Sequence, residues 1–158
     1  MSWRRFTSPS PEAQQTTEVA QNGGGEKLNI DKMVQSMDAN AKGVDTYGGK
    51  CAGACHKAMA DGGIGWDKDR PSAAGKNGPW LVEHGAASVA HGDTSAMPSG
   101  YAPKKGDIAV FSGGAPRNPI GHMEIFDGKN WVSDTKQTTF SPGHSYPGSV
   151  TVYRFPKQ

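Results

Sequence analysis

Only two cysteines, Cys51 and Cys55, occur in the 158 residues, so no disulfide framework can staple the chain and its stability must come from packing. No apolar run approaches the roughly 18 residues that a membrane-crossing helix requires. The N-terminal stretch, despite Arg4 and Arg5, has no apolar core of the kind a secretory signal carries, and the expectation is a product made in the cytoplasm without membrane insertion. Charge of one sign is lacking too. Lysine and arginine number 17 against 15 acids, a net of +2, and the basic residues are too scattered to track phosphates, which argues against nucleic acid as a partner. Metal ligands are equally scarce. Zinc takes four ligands, often as close pairs, and beyond Cys51 and Cys55 no second Cys/His pair stands at ligand spacing. Neither a metal nor a cofactor is expected.

What is present is a turn-rich composition, with 34% hydrophobic residues, 22 glycines and 11 prolines, and a length that suits one domain and a monomer. Residues 1–27 are polar and rich in Ser, Pro, Gln and Thr with a run of three glycines, and read as a flexible leader before a domain over 28–158. In that domain Ile30, Met33, Val34 and Met37 recur at helical spacing, with Asn29 as cap and Gly43 as stop. A second helix is expected from about Lys50 to Ala60, since Cys51, Ala54, Cys55, Ala58 and Met59 share a stripe bracketed by glycines. The middle reads as loop, apart from one short helix over Pro79 to His84. Four strands follow, "DIAVFS", "HMEIFD", "NWVSD" and "SVTVYRF", alternating or concentrating β-branched and aromatic residues. Helices first and an antiparallel sheet afterwards give an α+β fold with the Cys51 helix packed on the sheet.

The cysteines are the candidate chemistry. A disulfide between residues four apart on one helical face would distort the turn. Cys51, in the first turn, lies near unsatisfied N–H groups and the positive end of the helix dipole, which favour a thiolate; Cys55, one turn deeper, does not. Two small buried hydrophobes are the plainer alternative. A nucleophile needs a base with an orienting partner. Of five histidines, His56 faces away from Cys51 and His84, His91 and His144 lie in loop-like segments, whereas His122 opens a strand on the same face as Glu124. With a three-residue hairpin loop, Asp127 to Lys129, His122 falls opposite Asp134 on one face; a loop of two or four residues turns Asp134 away and leaves Glu124 as the partner.

Three stretches carry a family likeness. "GGKCAGACHKAMADGGI" resembles the nucleophile helix of the CHAP and NlpC/P60 superfamily of papain-like peptidoglycan amidases and endopeptidases, "APKKGDIAVFSG" resembles its central strand, and "IGHMEIFDGKNWVSD" its histidine hairpin. The likeness runs in order from about Ile30 to Phe155. Lys50 and Ala52 stand where NlpC/P60 members often carry Asp and Ser, so the CHAP branch is the nearer match. The resemblance implies a papain-like fold with Cys51 as nucleophile, His122 as base and Asp134 as the polar third residue. It implies acyl transfer to water from an amide of the peptidoglycan stem peptide or cross-link. Tyr47 is a candidate oxyanion donor or substrate contact, and Trp80, Tyr101 and Trp131 are candidate cleft walls, although a small core would claim the same aromatics.

A wall hydrolase without an export signal must reach its substrate another way. That mismatch points to an interbacterial toxin delivered by contact-dependent secretion, type VI foremost, acting in the periplasm or wall of a target cell and matched by a cognate immunity protein. A phage-derived lysin is the second option. A papain-like hydrolase or acyltransferase on a non-wall substrate, or an inert binding module, would be the rival outside wall hydrolysis.

Overall fold

The computed structural model describes residues 27–46, 48–64, 70–114, 120–142 and 146–156. All but the last residue of the expected leader, together with Tyr47 and His144, lie outside the described residues.

Helix α1 (Ile30–Asn40) starts where the Asn29 side chain accepts the Lys32 N–H at 3.0 Å, and buries Met33, Val34 and Met37. It ends three residues before the expected stop, because the chain turns extended at Ala41 before Gly43 takes a left-handed φ of 72°. Helix α2 (Cys51–Asp61) buries Cys51, Ala52, Cys55, Ala58 and Met59 and packs on α1, with the Gly62 carbonyl accepting the Asn29 N–H at 2.7 Å. A 3-10 turn (Ala74–Lys76) leads into α3 (Gly78–Glu83), which carries Pro79 in its first turn.

Among the described residues six strands form one antiparallel sheet: β1 (Ala87–Gly92), β2 (Ile108–Phe111), β3 (His122–Phe126), β4 (Trp131–Val132), β5 (Lys136–Gln137) and β6 (Val150–Arg154), in spatial order β1-β6-β2-β3-β4-β5. Four of them occupy the expected segments. Strand β1 was expected as loop; it is an edge strand whose exposed Ala, Ser and Val residues show no apolar alternation. Strand β5 is only two residues long, too short for any periodicity.

Alternation along the strands makes two cores. Ile108, Val110, Met123, Ile125 and Val132 pack with the helices, while Ala109, Phe111, Trp131, Phe140, Val150 and Val152 pack on the opposite face. Asp107, fully buried ahead of β2, holds Arg154 through two bonds of 2.7 and 2.8 Å and accepts the Tyr101 hydroxyl at 2.5 Å.

The 3-10 turn seats directly against the β2 and β3 ends, where Gly75 N–H donates to the Ile120 carbonyl at 2.7 Å and Gly121 has φ 83°. A Cβ on Gly121 would collide with the Phe111 carbonyl and the Gly75 backbone. Gly53, by contrast, has open space around it on α2. In urea unfolding, Gly121→Ala should therefore lose about 3 kcal/mol or more from combined strain and overpacking, and Gly53→Ala should gain up to about 1 kcal/mol. Equal effects of the two substitutions would contradict this packing.

Candidate active site

Cys51 is the first residue of α2, and no side chain caps the helix there. Its approach is fixed by the turn between β4 and β5. Asp134 Oδ2 accepts the Gly48 N–H at 2.7 Å and the Lys50 N–H at 3.2 Å, the Thr46 N–H donates to Thr135 Oγ1 at 3.0 Å, and Val44 bridges Lys136. The nucleophile candidate is thus held from the chain just ahead of it.

His122 opens β3 beside Phe111, 5% exposed, and its imidazole hydrogen-bonds the Cys51 thiol. Its Nε2 lies 2.8 Å from Gln137 Oε1 and 3.2 Å from Glu124 Oε1. The Gln137 amide in turn donates to Glu124 Oε1 at 2.7 Å and to the Thr139 carbonyl at 3.2 Å. Both acceptors on Nε2 require that nitrogen to carry a proton, which leaves Nδ1 for the sulfur.

Asp134 is therefore not the partner of the imidazole. The hairpin loop has four residues, Asp127 to Asn130, since Phe126 pairs Trp131 and Ile125 pairs Val132. That register turns Asp134 from His122 and sends its carboxylate to the amides before α2. Glu124, the alternative partner, stands beside the ring as the four-residue loop requires. Gln137 was missed. It sits on a two-residue strand fifteen positions beyond His122, and only the second reversal of the chain brings it back.

The aromatics expected to wall a cleft are packed instead. Trp80, 5% exposed, stacks on His84 at 3.9 Å and meets His56 edge-on at 4.5 Å. Trp131 packs between Phe126 and Phe140. Tyr101 is tied to Asp107, at the opposite end of β2 from the Phe111–His122 pair. Trp80 and Trp131 are buried, and Tyr101 is half-buried. Among the described residues, no group of three His, Cys, Asp or Glu side chains is placed to hold a metal ion.

Electrostatics couples Cys51 and His122. Burial opposes ionisation of Cys51, but the hydrogen bond and charge of His122 and the Met123 backbone N–H outweigh both burial and the Asp134 charge, so the thiol lies below its ordinary value. Burial likewise opposes the imidazolium, yet bonds to Cys51 and Glu124 raise His122 to about 10. Glu124, fully buried, is pushed up to about 7 against the pull of His122 and Gln137. Cys55 is driven well above the usual thiol range by burial and by the charges of Cys51, Glu124 and Asp134. The two cysteines are thus shifted in opposite directions: His122 favours ionisation of Cys51, whereas burial keeps Cys55 a neutral core residue.

No family model and no curated protein matches the chain. Among solved structures it is similar to a chain of the type VI native effector-immunity complex Tae3-Tai3 from Ralstonia pickettii, with 30% identity and a TM-score of 0.66 over 81% of this chain and 99% of that one. The selenomethionine form of that complex matches at 32% identity and a TM-score of 0.61, over 77% of this chain and 98% of the other. The chain belongs to the Tae3 family of type VI effectors. The Tae3 match covers nearly all of the solved chain, so this α+β unit is the shared fold and not an appended fragment of it.

The sign of the thiol shift gives a direct test on this Tae3-family site. Because His122 lowers the Cys51 thiol, alkylation by iodoacetamide should keep its full rate below the pH at which a free thiol slows, and decline only as pH falls through the lowered thiol value. It should change again near about pH 10 as His122 loses its proton. His122→Ala should move the lower midpoint up toward the free-thiol value of about 8.5. A wild-type midpoint already there would contradict the pair.

Proposed function

We propose that this chain is a papain-like cysteine amidase that a type VI system delivers to a target cell, where residues 28–158 hydrolyse an amide bond in the stem peptide or cross-link of peptidoglycan. The observation that carries the proposal is the bonded Cys51–His122 pair at the junction of α2 and β3, in a chain of the Tae3 family. Two further points support it. A nucleophile helix packed on an antiparallel sheet that carries the base is the papain-like arrangement, and the motif likeness to CHAP and NlpC/P60 wall hydrolases runs through both elements. Since the matched Tae3 structures are effector-immunity complexes, a cognate immunity protein is the partner proposed for this chain.

In this mechanism the Cys51 sulfur attacks the amide carbonyl carbon, and the carbonyl π pair moves onto oxygen. When that pair returns, the C–N bond breaks and His122 gives its Nδ1 proton to the departing amine, leaving a thioester on Cys51. Water then attacks the thioester while His122 takes its proton, and collapse releases the carboxylic acid and restores the thiolate. Gln137 fixes the ring by accepting a hydrogen bond from the Nε2–H, and Glu124 accepts from Gln137 and lies beside the same Nε2. Asp134 keeps the chain before α2 in place, so the sulfur is presented at the helix start.

Purified sacculi incubated with wild type and Cys51→Ala, followed by chromatography and mass spectrometry of the muropeptides, test the assignment. New fragments from wild type alone are expected, and their masses name the bond. Gln137→Ala should release the same fragments roughly 10²-fold more slowly, the scale of a mispositioned general base. Intact sacculi from the wild type, with Cys51 still readily alkylated, would move the substrate elsewhere.

A further inference from the structure

Beside the nucleophile lies a phenol that the mechanism so far does not use. Tyr146 precedes β6, and its ring meets Phe111 edge-on at 5.8 Å and His122 at 6.3 Å. The hydroxyl oxygen is buried and bonds no group among the described residues. A buried tyrosine hydroxyl ordinarily finds a partner, so an orphan donor beside reactive groups calls for a reason.

Its neighbours do not supply one. The sulfur of Cys51 takes its hydrogen bonds from His122 and Met123, and Glu124 from Gln137 and His122, while one Glu124 oxygen is itself unpartnered. Burial and the charges of Cys51 and Glu124 push the phenol well above the ordinary tyrosine range, so it keeps its proton and can donate. What is missing is an acceptor that comes with the substrate.

We propose that Tyr146 is a further catalytic residue, whose hydroxyl donates a hydrogen bond to the oxyanion formed when Cys51 attacks the scissile carbonyl. The proposal rests on the cysteine-hydrolase reading and deepens it. As the S–C bond forms, the π pair settles on the carbonyl oxygen, where the Tyr146 O–H and the Cys51 backbone N–H share it. When the pair returns and the C–N bond breaks, the amine takes its proton from His122, and Tyr146 retains its own throughout. Donors of this kind act on the transition state more than on the bound amide.

Tyr146→Phe removes one oxygen and keeps the ring that packs on Phe111. Three reactions of the full chain separate the possibilities: fragment release from sacculi, acylation by p-nitrophenyl acetate, and alkylation by iodoacetamide, which passes through no oxyanion. Fragment release and acylation should each fall about 10²-fold with KM held within about twofold, while alkylation stays within about twofold of wild type. Acylation at the wild-type rate would overturn the proposal, as would an equal fall in all three, which would place the phenol on the thiolate instead. A wild type that leaves sacculi intact yet shows the Tyr146-dependent acylation would sink the wall substrate and keep this assignment. A Cys51 that no reagent modifies would overturn both.

Discussion

A four-residue turn between β3 and β4 decides the chemistry of the site. Asp127 accepts the Lys129 and Asn130 N–H groups at 2.8 and 2.6 Å, and its own N–H reaches the Asn130 carbonyl at 2.9 Å. That closed turn sets Phe126 opposite Trp131, and the period of two along a strand does the rest. Asp134 faces the chain ahead of α2, and the next reversal returns Gln137 to the imidazole. One residue fewer in the turn would exchange the faces, giving the ring a carboxylate and leaving the nucleophile loop without its anchor.

The resulting cluster is expensive to bury. His122, Glu124 and Gln137 are almost wholly removed from water, and unpaired polar atoms at such depth cost on the order of 1–3 kcal/mol each. Most are satisfied by one another. The exceptions, one Glu124 oxygen and the Tyr146 hydroxyl, lie around the Cys51–His122 pair, where an open valence has a use. Apolar cores on both faces of the sheet supply the stability that lets this seam stay polar. Burial also sharpens the electrostatics, since the weakly screened imidazole lowers the Cys51 thiol while Cys55, one turn on, is driven up and stays neutral.

Much of this was legible from residue order. The capped start of α1, the stripe that places Cys51 at the head of α2, and four of six strands follow from periodicity and turn residues, because those signals are local. Strand β1 escaped because an exposed edge of small residues has no alternation to detect, and β5 because two residues have no period. Cys51 and His122, which the structure brings into contact, could be picked out one at a time, from a helix start and a strand start. Their supporting residues could not. Whether Asp134 or Glu124 meets the ring turns on a single residue of loop length, and the stretch "DGKN", with Asp at its start and Asn at its end, was the only local sign of a four-residue turn. Gln137 and Tyr146 become visible only when distant chain segments are superposed in space. The Tae3 match adds that the fold carrying this Cys51–His122 pair is one found in type VI effectors.

The central claim is that Cys51 and His122 share one proton as a thiolate–imidazolium pair, and nuclear magnetic resonance of ¹⁵N-labelled histidine reads it without any substrate. In the wild type the His122 ring should stay protonated to about pH 10, and in Cys51→Ser, where no thiolate remains, it should titrate at lower pH. A His122 that loses its proton near the ordinary value of about 6.5 in both proteins would contradict the account.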